Sequence, residues 1–173
     1  DNGYGVSFLN DSKYGYSAKG SVISLTLLRS GCCPNPSADK ERHSFTYSIL
    51  PHKGSFTDAD VVKEAYLLNN PLFAVKGIVG SELPEKYSFV ECIGAVVDTV
   101  KPSEDGVGTV LRIYEPYNRS SKVTLDFGVD VQRAEFVTLT EERTVDDVKC
   151  KIEGRGISFD IKPFEIVTLK IYY

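Results

Sequence analysis

Apolar and polar side chains alternate along much of the first half of the chain. In residues 20–29, three apolar side chains fall on one face of an extended backbone: Ile23, Leu25 and Leu27. This alternation predicts a long strand that buries one face and ends at Arg29. Similar patterns predict strands over residues 4–9, 14–18 and 43–50.

The predicted strand over residues 43–50 places four large side chains on one face: His43, Phe45, Tyr47 and Ile49. Pro51 and Gly54 then predict a turn, because proline donates no ladder hydrogen bond and glycine tolerates a tight turn. Residues 30–42 have no hydrophobic period, so we expect a surface loop there.

Residues 58–69 are typical of a helix. Thr57 is a candidate N-terminal cap, and Asp58 and Asp60 lie in the first turn, where the helix dipole favours negative charge. An apolar stripe follows at helical spacing: Val61, Val62, Ala65, Tyr66 and Leu68. The sequence therefore predicts one short helix that stops before Pro71.

From residue 87 onward, short β-type runs recur at regular spacing. Strands are predicted over residues 87–92, 95–101, 108–115, 122–127, 133–140, 148–153, 156–161 and 164–172. Such spacing is typical of an antiparallel β-sandwich. The β-branched residues of the last run place it inside a sheet rather than at an edge.

The predicted fold class is all-β, in three parts. Residues 1–60 are the terminal strands of a larger β-sheet, residues 61–87 the helix and a connecting segment, and residues 88–173 a C-terminal β-sandwich. The first part is incomplete, because its alternating face needs a covering layer that one helix supplies only in part. We therefore expect the missing strands upstream of Asp1.

Composition argues against two classes of partner. Lys and Arg number 20 against 24 Asp and Glu, a net charge of -4 without a basic stripe, so we expect no nucleic-acid partner. No apolar run approaches the ~20 residues of a membrane helix, so we expect no membrane partner. The four cysteines are too few and too irregularly spaced for a disulfide framework, and free thiols are expected: Cys32, Cys33, Cys92 and Cys150.

The sequence contains no self-sufficient active site. His43 and His52 lack zinc-type spacing with the adjacent cysteines, so we predict neither a catalytic residue nor a metal ligand in this chain. Nucleophile elbows and glycine-rich phosphate loops are likewise missing from the sequence. The acidic pairs are predicted to be solvated charge: Asp58 with Asp60, Glu141 with Glu142, and Asp146 with Asp147.

Two features are compatible with ligand contact. Asp11, Lys13 and Tyr14 lie on a polar loop between strands, although the same residue types also make local turn hydrogen bonds. Four tyrosines are a candidate platform for sugar stacking, although most such residues in an all-β protein are core or rim: Tyr114, Tyr117, Tyr172 and Tyr173.

An ordered set of short stretches resembles a known family over essentially the whole chain. The stretches are LNDSKYGY (9–16), SLTLLR (24–29), FTYS (45–48), PHKG (51–54), LRIYE (111–115) and KPFEI (162–166). Together they resemble the C-terminal region of glycoside hydrolase family 38 α-mannosidases, most closely the cytosolic and vacuolar class and its bacterial relatives. Departures are mild: Ser12 stands where cysteine is common, and Gly31 to Pro34 replace an alanine, proline and lysine run.

The resemblance implies a position in a larger enzyme. In that family an upstream α/β barrel holds zinc and an aspartate nucleophile, and a β supersandwich and a small β-sandwich close the chain. Residues 1–60 would end the supersandwich. Zinc is then expected in the missing catalytic domain, with no cofactor in this chain, and the reaction would be retaining hydrolysis of terminal α-mannosides.

The resemblance also implies where substrate contact would occur. An arginine at the end of the matching strand lies near the substrate in the family, so Arg29 is the leading candidate for substrate binding, with Asp11 and Tyr14 as weaker ones. The alternative for Arg29 is a strand-end arginine whose charged head lies in solvent.

We expect the chain to be a non-catalytic region that packs on the catalytic unit and completes it. Its partners would be the upstream domains of the same enzyme, with mannoside contacted at most peripherally. Two alternatives remain open: an independent carbohydrate-binding module, and a structural module that forms a homo-oligomer. The resemblance to the cytosolic class makes a cytoplasmic location the expectation.

Overall fold

Strands form most of the regular structure in the computed structural model, which describes residues 3–77, 84–145 and 147–173. The chain divides into two compact units, residues 1–76 and residues 77–173. The all-β fold class predicted from the sequence is confirmed.

The described residues of the N-terminal unit form four short strands and one helix. The strands are β1 (Tyr4–Asn10), β2 (Gly15–Lys19), β3 (Val22–Thr26) and β4 (Tyr47–Lys53), and the helix is α1 (Val61–Asn69). β1 pairs with β4 in one antiparallel two-stranded sheet, and β2 pairs with β3 in another. Two-stranded sheets are at best marginally stable without a covering layer.

The two faces of the β1–β4 sheet differ in how far they are covered within the described residues. α1 packs against β1, and Leu9 and Val61 are the buried apolar side chains among the described residues of this unit. The other face carries Tyr4, Val6, Tyr47 and Ile49, each of which is more than half exposed. We call these four residues the open face.

The prediction for residues 43–50 was partly wrong. The strand begins at Tyr47, while His43 lies outside it, exposed, with Nε2 3.0 Å from the carbonyl oxygen of Asp39. The strand also continues through Pro51 instead of turning there. Pro51 lies opposite Val6 at a position whose nitrogen points away from β1, so the proline removes no bond from the ladder.

Two other boundaries differ from the sequence prediction. β3 ends at Thr26, so Leu27, Leu28 and Arg29 follow the strand instead of belonging to it. α1 begins at Val61 rather than residue 58, because the Ser55 hydroxyl donates to the Asp58 carboxylate at 2.6 Å and holds a turn there.

The cap of α1 also differs from the prediction. Asp60, rather than Thr57, is the N-cap residue, with φ of 50° and no side-chain cap hydrogen bond. α1 has nine residues, and none of the helices in the described ranges is long and apolar enough to cross a membrane.

The C-terminal unit is a sandwich of two four-stranded antiparallel sheets. Its strands are β5 (Val90–Ile93), β6 (Val96–Pro102), β7 (Thr109–Tyr114), β8 (Ser121–Phe127), β9 (Arg133–Val137), β10 (Lys151–Glu153), β11 (Gly156–Ile161) and β12 (Ile166–Tyr172). One sheet has the order β10-β11-β8-β5 and the other β6-β7-β12-β9. β12 is therefore an inner strand, as its composition predicted.

Alternate side chains from both sheets fill the sandwich core. The buried cluster is Leu111, Ile113, Val123, Leu125, Phe127, Val131, Phe136, Ile157, Phe159, Ile161, Val167, Leu169 and Ile171. Phe136 and Phe159 meet edge to face, with ring centroids 5.1 Å apart. Unlike the N-terminal unit, this unit encloses a complete hydrophobic core.

Ion pairs cover part of the outer surface of the β6-β7-β12-β9 sheet. The Lys170 ammonium donates to Asp105 at 2.5 Å, and the Lys101 ammonium lies 2.7 Å from Glu141. Only 4% of the Glu141 side chain is exposed, so the prediction that Glu141 is solvated was wrong. The turn after β9 brings Glu141 against Lys101, a contact that sequence spacing does not reveal; Asp146 lies outside the described residues.

Gly94 is a sensitive point of the sandwich. Its φ is 91°, and a Cβ there would lie 2.3 Å from the carbonyl oxygen of Lys122. We expect Gly94→Ala to lower the free energy of unfolding by more than about 3 kcal/mol, because a left-handed backbone and a backbone clash both oppose alanine. Urea denaturation followed by circular dichroism measures this change.

Gly106 provides the matched control for Gly94. Its φ is 72°, but a Cβ there meets nothing within 4 Å. Gly106→Ala should therefore cost only the conformational strain, about 1–2 kcal/mol. Equal losses in the two variants would contradict the clash with Lys122.

Candidate functional site

The loop after β1 carries two of the three candidate substrate contacts. Asp11 Oδ2 accepts a hydrogen bond from the Thr46 backbone N–H at 2.9 Å, and the Asp11 N–H donates to the Thr46 carbonyl at 3.1 Å. The Ser12 hydroxyl donates to Asp11 Oδ1 at 2.9 Å. The Thr46 N–H is the main cause that lowers the pKa of Asp11, so this carboxylate is ionised and fixes the loop to the residue before β4.

Asn10 has a structural role that the sequence analysis did not assign to it individually. Its side-chain oxygen accepts the Ser12 N–H at 3.0 Å and also the Lys13 N–H, and its amide nitrogen contacts the Tyr16 hydroxyl. An Asn that bonds the backbone two residues later is an Asx turn, and the Asn-Asp-Ser run is the signal for it. Side-chain hydrogen bonds to the backbone therefore stabilise the turn in this loop.

Tyr14 and Lys13 project from the same loop. Tyr14 is 92% exposed, so its ring is free to meet a ligand or another protein surface. The Lys13 ammonium lies 4.9 Å from the centroid of the Phe45 ring, in cation–π range. The loop thus presents a carboxylate, a tyrosine and a cation on a backbone held by Asn10 and Asp11.

Arg29 does not join this group. It is exposed and lies three residues beyond the end of β3. Within residues 3–77, no hydrogen bond or ion pair connects its side chain to Asp11 or Tyr14. The structure therefore places Asp11 and Tyr14 on one loop and Arg29 on the segment after β3.

The four tyrosines of the C-terminal unit do not form one platform. Tyr114 lies opposite Ile166 at the start of β12, whereas Tyr172 lies at its end, six residues and about 20 Å away. The Tyr172 ring already contacts the guanidinium of Arg133, 3.8 Å from the ring centroid. Its hydroxyl donates to Glu135 at 2.5 Å. This ring is therefore occupied by neighbouring charged groups.

The described residues do not fit a zinc site. No three of their His, Cys, Asp and Glu side chains are grouped so as to hold a metal ion. His52 Nε2 is 3.0 Å from the Ser7 hydroxyl, and His43 contacts the carbonyl oxygen of Asp39. We therefore assign no metal-dependent step to this part of the chain.

One buried carboxylate has a clear structural role. Glu115 is 1% exposed, and it accepts backbone N–H bonds from Tyr117 at 2.8 Å, Phe164 at 3.1 Å and Arg119 at 3.2 Å. Burial by itself raises the pKa of this carboxyl, but the backbone donors together hold the pKa below its ordinary value. Glu115 thereby joins the loop after β7 to the turn before β12.

Comparison with known proteins identifies the family. A model described as the glycosyl hydrolases family 38 C-terminal beta sandwich domain matches residues 94–169. A second, the glycosyl hydrolases family 38 C-terminal domain, matches residues 1–37. The chain belongs to family 38 of the glycosyl hydrolases. The family resemblance noted in the sequence is thereby confirmed, and the matched sandwich domain coincides with the closed core of the C-terminal unit.

Relatives of this family 38 chain are much longer proteins. Alpha-mannosidase 2C1 of Homo sapiens is 36% identical over 98% of the chain, which covers 16% of that protein. Alpha-mannosidase G of Dictyostelium discoideum is 34% identical over 96% of the chain, again 16% of its own length. The alpha-mannosidase of Saccharomyces cerevisiae is 27% identical over 98% of the chain and 17% of its length. The chain thus spans about a sixth of these relatives.

The contacts of Glu115 predict a pH-dependent contribution to stability. Glu115→Gln should lower the free energy of unfolding by about 1–3 kcal/mol at pH 7, because it leaves buried N–H groups without acceptors. A carboxyl whose folded pKa is lowered stabilises the fold above its unfolded pKa, and this contribution is lost as the pH falls. The difference between wild type and variant should therefore shrink progressively as the pH is lowered from about 6 into the acid range.

Urea titrations across that pH range measure the difference. Glu142→Gln is the control, since Glu142 is exposed and should change stability by less than about 0.5 kcal/mol. A difference for Glu115 that is constant with pH would contradict the ionised, backbone-bonded carboxylate.

Proposed function

We propose that this chain is the non-catalytic C-terminal β-region of a zinc-dependent, retaining α-mannosidase that hydrolyses terminal α-mannosides. In this proposal the chain packs on the rest of the enzyme and completes the catalytic unit. The observation that carries it is the open face of the β1–β4 sheet, found in a chain that spans about a sixth of its α-mannosidase relatives.

The open face is a large apolar surface for a protein in water. Tyr4 is 72% exposed and Val6 58%, and Tyr47 and Ile49 are exposed to a similar extent beside them. The Tyr47 ring stacks on Phe8 with a centroid distance of 5.8 Å, so the aromatic surface is continuous. Contiguous apolar surfaces of this kind mark interaction sites.

A second apolar segment of the N-terminal unit supports the same conclusion. Leu72, Phe73 and Val75 follow α1 without regular structure, and each is at least 85% exposed. The C-terminal unit, in contrast, encloses its core. The N-terminal unit, whose described residues bury few apolar side chains, is therefore the part expected to adjoin the rest of the enzyme.

Hydrolysis is assigned to the part of the enzyme outside this chain. No three His, Cys, Asp or Glu side chains of the described residues are grouped so as to hold zinc, whereas the relatives are named alpha-mannosidases. Asp11, Tyr14 and Arg29 are proposed as peripheral mannoside contacts, on exposed positions that a neighbouring catalytic domain can approach.

The thiols favour a cytoplasmic location for the enzyme. Cys32 and Cys33 are free and exposed, and burial raises the pKa of the partly buried Cys92 and Cys150 thiols, which keeps them protonated. Four free thiols suit a reducing compartment. Fractionation of cells that produce the full-length enzyme tests this assignment.

An activity comparison tests the proposed function. The full-length enzyme should hydrolyse p-nitrophenyl α-mannoside and lose that activity on treatment with a zinc chelator, whereas residues 1–173 alone should be inactive. Activity of the isolated chain would overturn the non-catalytic assignment. Tight mannoside binding by the isolated chain, without activity in the full-length enzyme, would favour a carbohydrate-binding module.

Arg29→Ala tests the leading substrate contact. In the full-length enzyme we expect kcat/KM to fall about tenfold, as loss of one charged hydrogen bond to substrate implies, with little change in Tm because Arg29 is exposed. Steady-state kinetics and thermal unfolding measure the two effects. Arg42→Ala, another exposed arginine, is the control, and a loss of Tm together with activity would make Arg29 structural.

Ile49→Thr tests whether the open face is covered in the full-length enzyme. Ile49 is 59% exposed in this chain, so the change should matter only if another surface covers it. We expect the full-length enzyme to lose about 1–2 kcal/mol of stability, from apolar burial that is no longer gained. Val107→Thr is the matched control, because Val107 is 61% exposed in the unit that has a closed core. Small and equal losses of stability in the two variants would show that no other surface covers the open face.

A further inference from the structure

The hydrogen-bond register of the β1–β4 sheet shows which backbone groups face outward. Gly54 N–H donates to the carbonyl of Gly3 at 2.7 Å, and Asp11 N–H donates to the carbonyl of Thr46. In an antiparallel pair, bonded and non-bonded positions alternate. The odd-numbered residues of β1 therefore bond β4, and its even-numbered residues direct their N–H and C=O groups away from β4.

The outer edge of β4 is interrupted by a proline. Pro51 lies opposite Val6, a non-bonded position, so its nitrogen occupies the outer edge and carries no hydrogen. Proline at such a position is a common way to prevent another strand from pairing. The edge formed by Tyr47, Ile49 and Pro51 therefore lacks a donor where a new strand would need one.

The outer edge of β1 has no such interruption. The N–H and C=O groups of Tyr4, Val6 and Phe8 point outward and have no partner in the part of the chain that the structure describes. At the end of the strand the edge is closed, since the Asn69 side chain donates to the carbonyl of Asn10 at 3.2 Å. The unoccupied part thus spans Tyr4 to Phe8, long enough to bond a short strand.

We propose that a β-strand from the part of the longer enzyme outside this chain pairs with the outer edge of β1 along Tyr4 to Phe8. This makes β1 an inner strand and leaves β4 as the edge of the sheet. The inference rests on the proposed function only in requiring that longer enzyme. Strand addition supplies main-chain hydrogen bonds, and the adjoining open face extends the contact with apolar side chains.

The occupant follows from the length of chain outside this one. The relatives are about six times as long as this chain, and a strand tethered in the same polypeptide is favoured by its high effective concentration. A second copy of the chain is the competing occupant. It has to associate from solution, so its pairing depends on protein concentration.

Hydrogen exchange at single-residue resolution in the full-length enzyme tests the proposal. Amides of Tyr4, Val6 and Phe8 should exchange at least about tenfold more slowly than those of Tyr47 and Ile49, because only the β1 edge is paired. Ser7 and Leu50 are internal controls, since both bond within the β1–β4 ladder and should be protected to a similar degree.

Each other outcome overturns the proposal. Rapid exchange at Tyr4, Val6 and Phe8 would show an unpaired β1 edge, and slow exchange at Tyr47 and Ile49 would place the new strand on β4. Protection of β1 that disappears on tenfold dilution would identify a second copy as the occupant. The activity assay is independent of these results: an enzyme without mannosidase activity that keeps the asymmetry retains this inference and loses the proposed function.

Proline substitutions give a second readout. Val6→Pro in the full-length enzyme should lower Tm much more than Val6→Ala does. The proline removes the outward N–H that donates to a carbonyl of the added strand. Ile49→Pro should lower Tm no more than Ile49→Ala, because that edge is free. Equal penalties for proline at the two positions would contradict a difference between the edges.

Discussion

The uneven burial of apolar surface governs how this chain is organised. In the C-terminal unit, two sheets face each other and alternate side chains fill the space between them, so the hydrophobic effect is satisfied within the unit. In the N-terminal unit, α1 is the single helix beside the two-stranded sheet of β1 and β4, and the opposite face of that sheet is exposed to water. The second unit therefore encloses a core of its own, whereas the described residues of the first bury few apolar side chains.

The two units of this family 38 chain also differ in the groups that they present at their surfaces. The sandwich holds its own loops in place, as Glu115 shows by joining two of them through backbone hydrogen bonds. The N-terminal unit instead presents an apolar face, an open strand edge and a polar loop carrying Asp11 and Tyr14. The proposed packing of this region on a catalytic domain would account for all three features.

Sequence patterns predicted which segments form strands more accurately than the residues at which those strands begin and end. β8 and β11 were placed within one residue, because both alternate strictly and end at clear turn signals. β4 was misplaced, because a proline normally predicts the end of a strand, and only the pairing register shows that the nitrogen of Pro51 points away from β1. α1 was extended too far because the Ser55–Asp58 turn uses the residue types that also cap helices.

The sequence by itself determined the all-β class, the sandwich, the need for a covering layer and the family, since these depend on side-chain periodicity and on ordered motifs. Tertiary structure alone decided that Glu141 lies against Lys101, that Asp11 bonds the backbone of Thr46 and that the tyrosines are dispersed. These are contacts between residues distant in sequence. Their geometry is set by strand register and loop packing, which periodicity does not encode.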